Sequence, residues 1–201
     1  MTAPKQQTVW RPESTTRRPF PITHLTFDPS LTPWSVPAQE WIKSHRLELD
    51  KLCTNVAVFD EKGQLLLVQR ANHDYWMPGK WEIPGGSAEV EDKNVLFSAA
   101  RELWEETGLV ATGIKRLIAD GEVPEMGYVF RDEIRGIRFC RFSFEVEVES
   151  CQGVVLDVTE HQAFVWASRE EVEKGMVGEM EIPVTDPPMR ELILAAFNRG
   201  Q

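Results

Sequence analysis

Cysteine is scarce: three in 201 residues, Cys53, Cys140 and Cys151, odd in number and without ligand-pair spacing. A disulfide framework is therefore not expected, and the thiols read as the reduced cysteines of a cytosolic protein. Cys53 reads as a small buried residue rather than a nucleophile. No apolar run approaches membrane-spanning length, and the N-terminus has no hydrophobic signal core, so the expected location is the cytoplasm. Positive charge is also short, with 22 Lys and Arg against 32 Asp and Glu, a net charge of −10. No basic patch supplies phosphate contacts, which argues against a nucleic-acid polymer or an anionic membrane as partner. A small phosphorylated substrate stays open, because metal ions can screen it. Internal repeats and low-complexity blocks are absent. The 42% hydrophobic and 27% charged residues are ordinary globular values, and the length suits one domain with an extension.

The chain is organised around residues 85–109, GGSAEVEDKNVLFSAARELWEETGL. Glu102, Glu105 and Glu106 lie at i, i+3 and i+4 of a predicted helix, so their carboxylates share one side. Three like charges this close disfavour an isolated helix, and divalent cations among them reverse that. Oxygen ligands suit Mg²⁺, Mn²⁺ or Ca²⁺. Arg101 stands at i, i+4 from Glu105 and can orient it. Val95, Leu96, Ala99, Ala100 and Leu103 form the apolar stripe that packs on a sheet, and Gly108 stops the helix. Upstream, a short strand at 81–83 leads into Pro84-Gly85-Gly86, where backbone can approach a ligand with no Cβ in the way. Strand, glycine loop and acidic helix together read as a metal-diphosphate cradle.

These residues resemble the Nudix box, Gly-x5-Glu-x7-Arg-Glu-U-x-Glu-Glu-x-Gly-U, with U a bulky aliphatic. Arg101 to Leu109 match its second half at every defined position. The first half departs from it: Asp92 stands where Glu is expected, and eight residues rather than seven separate it from Arg101. The resemblance implies a Nudix-like α/β/α sandwich with a mixed β-sheet. It also implies hydrolysis of a diphosphate linked to another moiety X, with Mg²⁺ or Mn²⁺ as cofactor. Metal ligands are then expected at Glu102, Glu105, Glu106 and the Gly85 carbonyl, with Glu102 also able to take a proton from the attacking water and Arg101 as organiser. Glu160, in an acidic loop before a Trp-ending strand, is the further ligand or base implied. The fold also hosts isomerases and binding or regulatory domains. The isomerase cysteine motifs are missing here, and a non-catalytic domain would normally lose part of the carboxylate set.

The rest of the chain reads around that core. Residues 1–50 are an extension: a Pro-rich arm over 1–34, draped over the domain or over a second subunit in a homodimer, then a short helix from Ser35 to about Arg46. Trp41 and Ile42 on that helix pack on the core or line a pocket. The domain proper occupies 51–201. It opens with strands over 54–59 and 64–70 joined by a hairpin turn at 60–63. Residues 71–80 form a loop that either reads substrate or lies on the surface with aromatic anchors. Strands follow over 112–122 and 137–148, with a polar connection carrying Tyr128 and Phe130 between them. Ser168 and Glu171 make a capping box for a short helix, and residues 187–198 form the last helix. Arg70, Tyr75, Trp81, Phe130 and Arg138 are the residues expected at the substrate. X is left open among nucleoside triphosphates, dinucleoside polyphosphates, nucleotide sugars and prenyl diphosphates.

Overall fold

The computed structural model describes residues 8–10, 20–21, 24–45, 47–119 and 123–198. Much of the expected arm, residues 120–122 of the strand expected over 112–122, and the helix stop expected at Gly200 lie outside the described residues. In chain order the elements begin with β1 (Thr8–Trp10), β2 (Thr26–Phe27), a 3-10 helix at Pro29–Trp34, α1 (Ala38–His45) and β3 (Lys51–Ala57). Next come β4 (Leu65–Arg70), β5 (Trp81–Glu82), β6 (Gly85–Ser87), α2 (Val95–Thr107) and β7 (Ala111–Ile118). A 3-10 turn at Pro124–Met126 leads to β8 (Tyr128–Asp132), β9 (Ile137–Val148), β10 (Val155–Asp157) and β11 (His161–Ala167). The chain ends with α3 (Arg169–Lys174), β12 (Met176–Val177), β13 (Met180–Glu181) and α4 (Pro187–Ala196).

The larger sheet runs β2-β7-β9-β3-β6, with β8 also on β9. The pairs β3–β9 and β2–β7 are parallel, whereas β6 runs antiparallel to β3, and β7 and β8 run antiparallel to β9, so the sheet is mixed. A smaller antiparallel sheet runs β11-β4-β5. The alternation of β4 explains the layering. Leu66 and Val68 join a core with Val95, Leu96, Ala99 and Leu103 of α2. Leu65 and Leu67 face the other way, into a core with Met189, Leu192, Ile193 and Ala196 of α4. Helices thus cover both faces of the strands, an α/β/α sandwich. Each fully buried Leu of these layers contributes about 2 kcal/mol of transfer free energy.

Several elements follow from local chemistry. Asn94 caps α2 by accepting from Phe97 N (2.9 Å), and Gly108 ends it in the left-handed region at φ 68°. The Ser168–Glu171 capping box on α3 is present in both directions. Trp41 and Ile42 are buried in the core, with the Trp41 ring 4.8 Å from Phe142. Within the extension, β1 pairs in parallel with β10, and Leu25, Leu31 and Trp34 enter the α2 core.

Two expectations are corrected. The turn expected at 60–63 forms, with the Asp60 carbonyl accepting from Gly63 N, but the pairing of β3 with β4 beyond it is only a bridge at Phe59 and Leu65, after which the strands enter different sheets. The edges of β3 are taken by β6 and β9, which leaves β4 to pair elsewhere. The polar connection around Tyr128 and Phe130 is instead strand β8, joined to β9 by a turn. In that turn the Asp132 carboxylate accepts from the Ile134 and Arg135 amides, and Gly136 takes φ 71°. No helix among the described residues is long and apolar enough to cross a membrane.

Candidate active site

Strand β5 turns through Pro84 into β6, and the Asn55 side-chain amide on β3 ties this turn down by donating to the Ile83 carbonyl (3.1 Å) and the Pro84 carbonyl (3.3 Å). A Cβ on Gly85 would stand 2.1 Å from the Thr54 carbonyl oxygen, and one on Gly86 would stand 2.5 Å from a Glu102 carboxylate oxygen. Gly85 therefore requires glycine on grounds of space, and a methyl at position 86 would displace the Glu102 carboxylate. The loop lies directly on the acidic side of α2, and Gly85 N donates to Glu106 Oε2 at 2.9 Å. That side is accordingly not a solvated face: Glu102 is 8% and Glu106 2% exposed.

Arg101 organises the acids. Its Nε and Nη2 donate to the two oxygens of Asp92, both at 2.8 Å, and its Nη1 donates to Glu102 (2.9 Å) and Glu105 (2.8 Å). Nη2 also donates to the Ser87 carbonyl. Asp92, the residue that departs from the motif, is thus a bidentate anchor for the guanidinium. Burial pushes its carboxyl up, but hydrogen bonds from Arg101, the Glu89 amide and Ser98, together with the Arg101 charge, outweigh this and hold it below the usual carboxylate range. Burial pushes Glu102 up to about 7 despite Arg101 beside it. Glu106 is driven well above the usual range by burial first, then by the charges of Glu160, Glu102 and Glu82. Glu160 is exposed just before β11, and its charge reaches both buried acids.

Burying like charges together is costly, and an oxygen-only set of this kind lowers that cost by holding a hard cation. Among the described residues no three acid, thiol or imidazole groups already stand as a metal cage. Arg101 engages one oxygen each of Glu102 and Glu105.

On the other side of the glycine loop lies a cavity of about 450 Å³ that Gly85 and Gly86 line but the three α2 carboxylates do not. Its sheet wall is aromatic. Tyr128 and Phe130 of β8 pair opposite Arg141 and Phe139 of β9, and the rings of Tyr128, Phe130 and Phe139 stack at 6.0 and 5.3 Å. The Arg141 guanidinium covers Tyr128 at 4.9 Å. Its loop wall carries Tyr75, Trp76 and Met77.

Of the residues expected at the substrate, Arg70, Tyr75 and Phe130 line this cavity. Trp81 does not: it is 1% exposed and packs among Leu65, Ile83 and Met189. Arg138 does not either, because strand alternation turns it from the face of Phe139 and Arg141, and its guanidinium meets Glu48 at the surface (3.3 Å). Residues not singled out include Phe139, Asp132, Met77 and Glu82, and Thr54, whose hydroxyl is buried without a protein partner. The turn residues Asp132 and Gly136 were the signal that pairs β8 with β9 and collects the aromatic wall.

Comparison with known proteins adds to this geometry. The family model described as the NUDIX domain matches residues 50–186. A MutT-like protein of Streptomyces ambofaciens is 32% identical over 129 residues, covering 64% of this chain and 71% of that protein. The CTP pyrophosphohydrolase of Escherichia coli (strain K12) is 31% identical over 131 residues, covering 65% and 85%. Among solved structures, a MutT protein from Methanosarcina mazei Go1 superposes with a TM-score of 0.56 at 25% identity, covering 76% of this chain and 96% of that one.

Proposed function

The chain belongs to the Nudix family, and on that premise we propose that it hydrolyses the diphosphate linkage of a small nucleotide-like molecule with a planar aromatic moiety X. The carrying observation is the glycine loop as a shared boundary, with acids on one side and an aromatic cavity on the other. Relatives named as pyrophosphohydrolases of CTP and of RNA support the reaction class. Polar and charged groups interleaved with the rings, Asn55, Arg131 and Asp132, favour a nucleobase-like X over a prenyl chain.

Family members generally use divalent cations, and the donor set here fits one: Glu102, Glu105, Glu106 and the Gly85 carbonyl would hold Mg²⁺ or Mn²⁺. Such an ion, when bound, neutralises diphosphate charge and acidifies water. Glu105, now paired with Arg101, would serve as a ligand, while Asp92 holds the guanidinium in place. Glu102, whose carboxyl burial pushes up to about 7, is the group placed to accept a proton from the attacking water, and Glu160 is a second candidate for that task. The Gly85 amide fixes the Glu106 carboxylate, and the aromatic walls orient X.

Wild-type protein incubated with Mg²⁺ or Mn²⁺ and a panel containing CTP, other nucleoside triphosphates, a nucleotide sugar, a dinucleoside polyphosphate and a prenyl diphosphate is expected to cleave compounds with a base. Products are resolved by mass. Cleavage of the prenyl compound alone would overturn the assignment of X, and cleavage of none would overturn the hydrolase reading. Gly86→Ala tests the shared boundary. Its methyl displaces the Glu102 carboxylate, so kcat/KM is expected to fall about a hundredfold with the fold retained by circular dichroism. Wild-type kinetics in that variant would remove the glycine loop from the site.

A further inference from the structure

Three arginines line the cavity, and the one that ends β4 is bound differently from a phosphate ligand. Arg70 Nε donates to the Trp76 carbonyl (2.8 Å), Nη1 to Glu82 (2.6 Å) and Nη2 to Asp74. The face of the guanidinium lies 4.7 Å from the Trp76 ring centroid. The second oxygen of Asp74 accepts from the Trp76 amide at 3.0 Å. Backbone nitrogen, backbone oxygen and ring of Trp76 are thus all held by one ion pair. Two further bonds close the base of the loop: Gln69 Nε2 donates to the Gly79 carbonyl (2.9 Å), and Gly79 N donates to the Arg70 carbonyl (3.1 Å). The next residue, Met77, takes φ 48°, the one left-handed non-glycine among the described residues. Such a conformation persists where surrounding contacts over-determine it, and it concentrates at ligand clamps.

Charge accounting points the same way. Two carboxylates, Asp74 and Glu82, meet one guanidinium, so an approaching diphosphate finds a cluster of net negative charge. A planar fork with every edge engaged is also what Arg provides and Lys cannot.

We propose that Arg70 is a positioning residue for specificity. It holds Trp76 as the loop-side jaw that grips a planar X together with the Tyr128–Phe130–Phe139 wall, and it does not itself bind phosphate. This rests on the reading of X as planar and aromatic, not on hydrolysis.

The test is equilibrium binding to the metal-loaded full chain, by calorimetry, of a non-hydrolysable methylene analogue of CTP and of inorganic pyrophosphate. Arg70→Lys and Asp74→Asn are each expected to weaken the nucleotide about tenfold, the scale of one stacking contact, and to leave pyrophosphate unchanged. Trp76→Leu is expected to give the same loss, and the Arg70→Lys/Trp76→Leu double variant no more than either alone. Trp76→Leu leaves the Arg70 ion pairs in place, so it keeps the test valid if the charge variants unfold. Tighter binding of both ligands by Asp74→Asn would show a released phosphate-binding arginine and overturn the proposal. Parallel loss of both ligands, additive losses in the double variant, or failure of wild type to bind the nucleotide would overturn it as well. Binding with this pattern but without turnover of any nucleotide would defeat the hydrolase reading and leave the clamp standing.

Discussion

Glu106→Gln is expected to lower kcat by about a thousandfold while raising the thermal midpoint of the metal-free protein. The first effect follows from removing one anionic ligand from a set in which metal ions supply several kcal/mol of transition-state stabilisation, at about 1.4 kcal/mol per factor of ten. Glutamine keeps an oxygen for the Gly85 amide, so the loop stays in place. The second effect follows from linkage. Glu106 and Glu102 have folded-state carboxyls raised by burial, Glu102 to about 7, so the folded state binds protons more readily than the unfolded one. Their contribution to stability is fully present below the ordinary glutamate value of 4.5 and is lost as pH rises through the raised folded-state values, about 7 for Glu102 and well above the ordinary value for Glu106. A neutral side chain at 106 removes part of that loss, so the metal-free variant has a flatter pH–stability profile. Melting curves in chelator across that range, beside steady-state kinetics with Mg²⁺, measure both. Wild-type turnover would remove Glu106 from the metal set, and a lower melting point would show that its charge is not a burden to the fold. Opposite signs for activity and stability are what a site built from crowded charge produces.

Asp92→Ala is expected to cost about 3 kcal/mol of folding stability, the low end for breaking a buried ion pair by removing one partner. Both side chains are about nine-tenths buried, and the pair is bidentate. Arg101 keeps Glu102, Glu105 and the Ser87 carbonyl, which is why the low end is expected. Asp92 is depressed below its ordinary value of 3.8, so the pair stabilises the fold at and above that pH and the stabilisation is lost as pH falls below it. Urea unfolding near neutral pH should therefore separate wild type from Asp92→Ala, and the gap should narrow in acid. A gap of less than about 1 kcal/mol, the worth of an exposed pair, would mean that the anchor is dispensable. Asp92→Asn retains the shape and loses the charge, and it should fall between the two.

Local chemistry was legible in the sequence and long-range pairing was not. Ser168 and Glu171 fix α3, Gly108 ends α2, and β9 spans the predicted 137–148, because each rests on contacts within a few residues, whereas the Asn94 cap of α2 comes only from the structure. The acids of the proposed metal site are legible as a pattern, yet their burial is not. Helical spacing places Glu102, Glu105 and Glu106 on one side but does not say that the glycine loop will cover it. β8 was missed because its polar residues acquire meaning only when β9 lies beside them. Trp81 was assigned to substrate because it precedes the glycine loop, and the α4 core that buries it comes from a segment a hundred residues away. Arg138 is the arginine expected at the substrate and Arg141 is the one that lines the cavity, because they stand three residues apart on β9 and strand alternation puts an odd offset on opposite faces.

The glycine boundary divides labour along the chain as well as in space. The acids and their anchors come from one continuous run, residues 92–106, whereas the cavity walls come mainly from the 71–80 loop and the β8–β9 hairpin. Those two segments can therefore be exchanged for others without touching the hydrolytic run, provided Gly85 and Gly86 are kept. On the function proposed, substrate choice is a replaceable fitting on a fixed engine, and grafting the two segments from a relative of different preference is expected to retarget it.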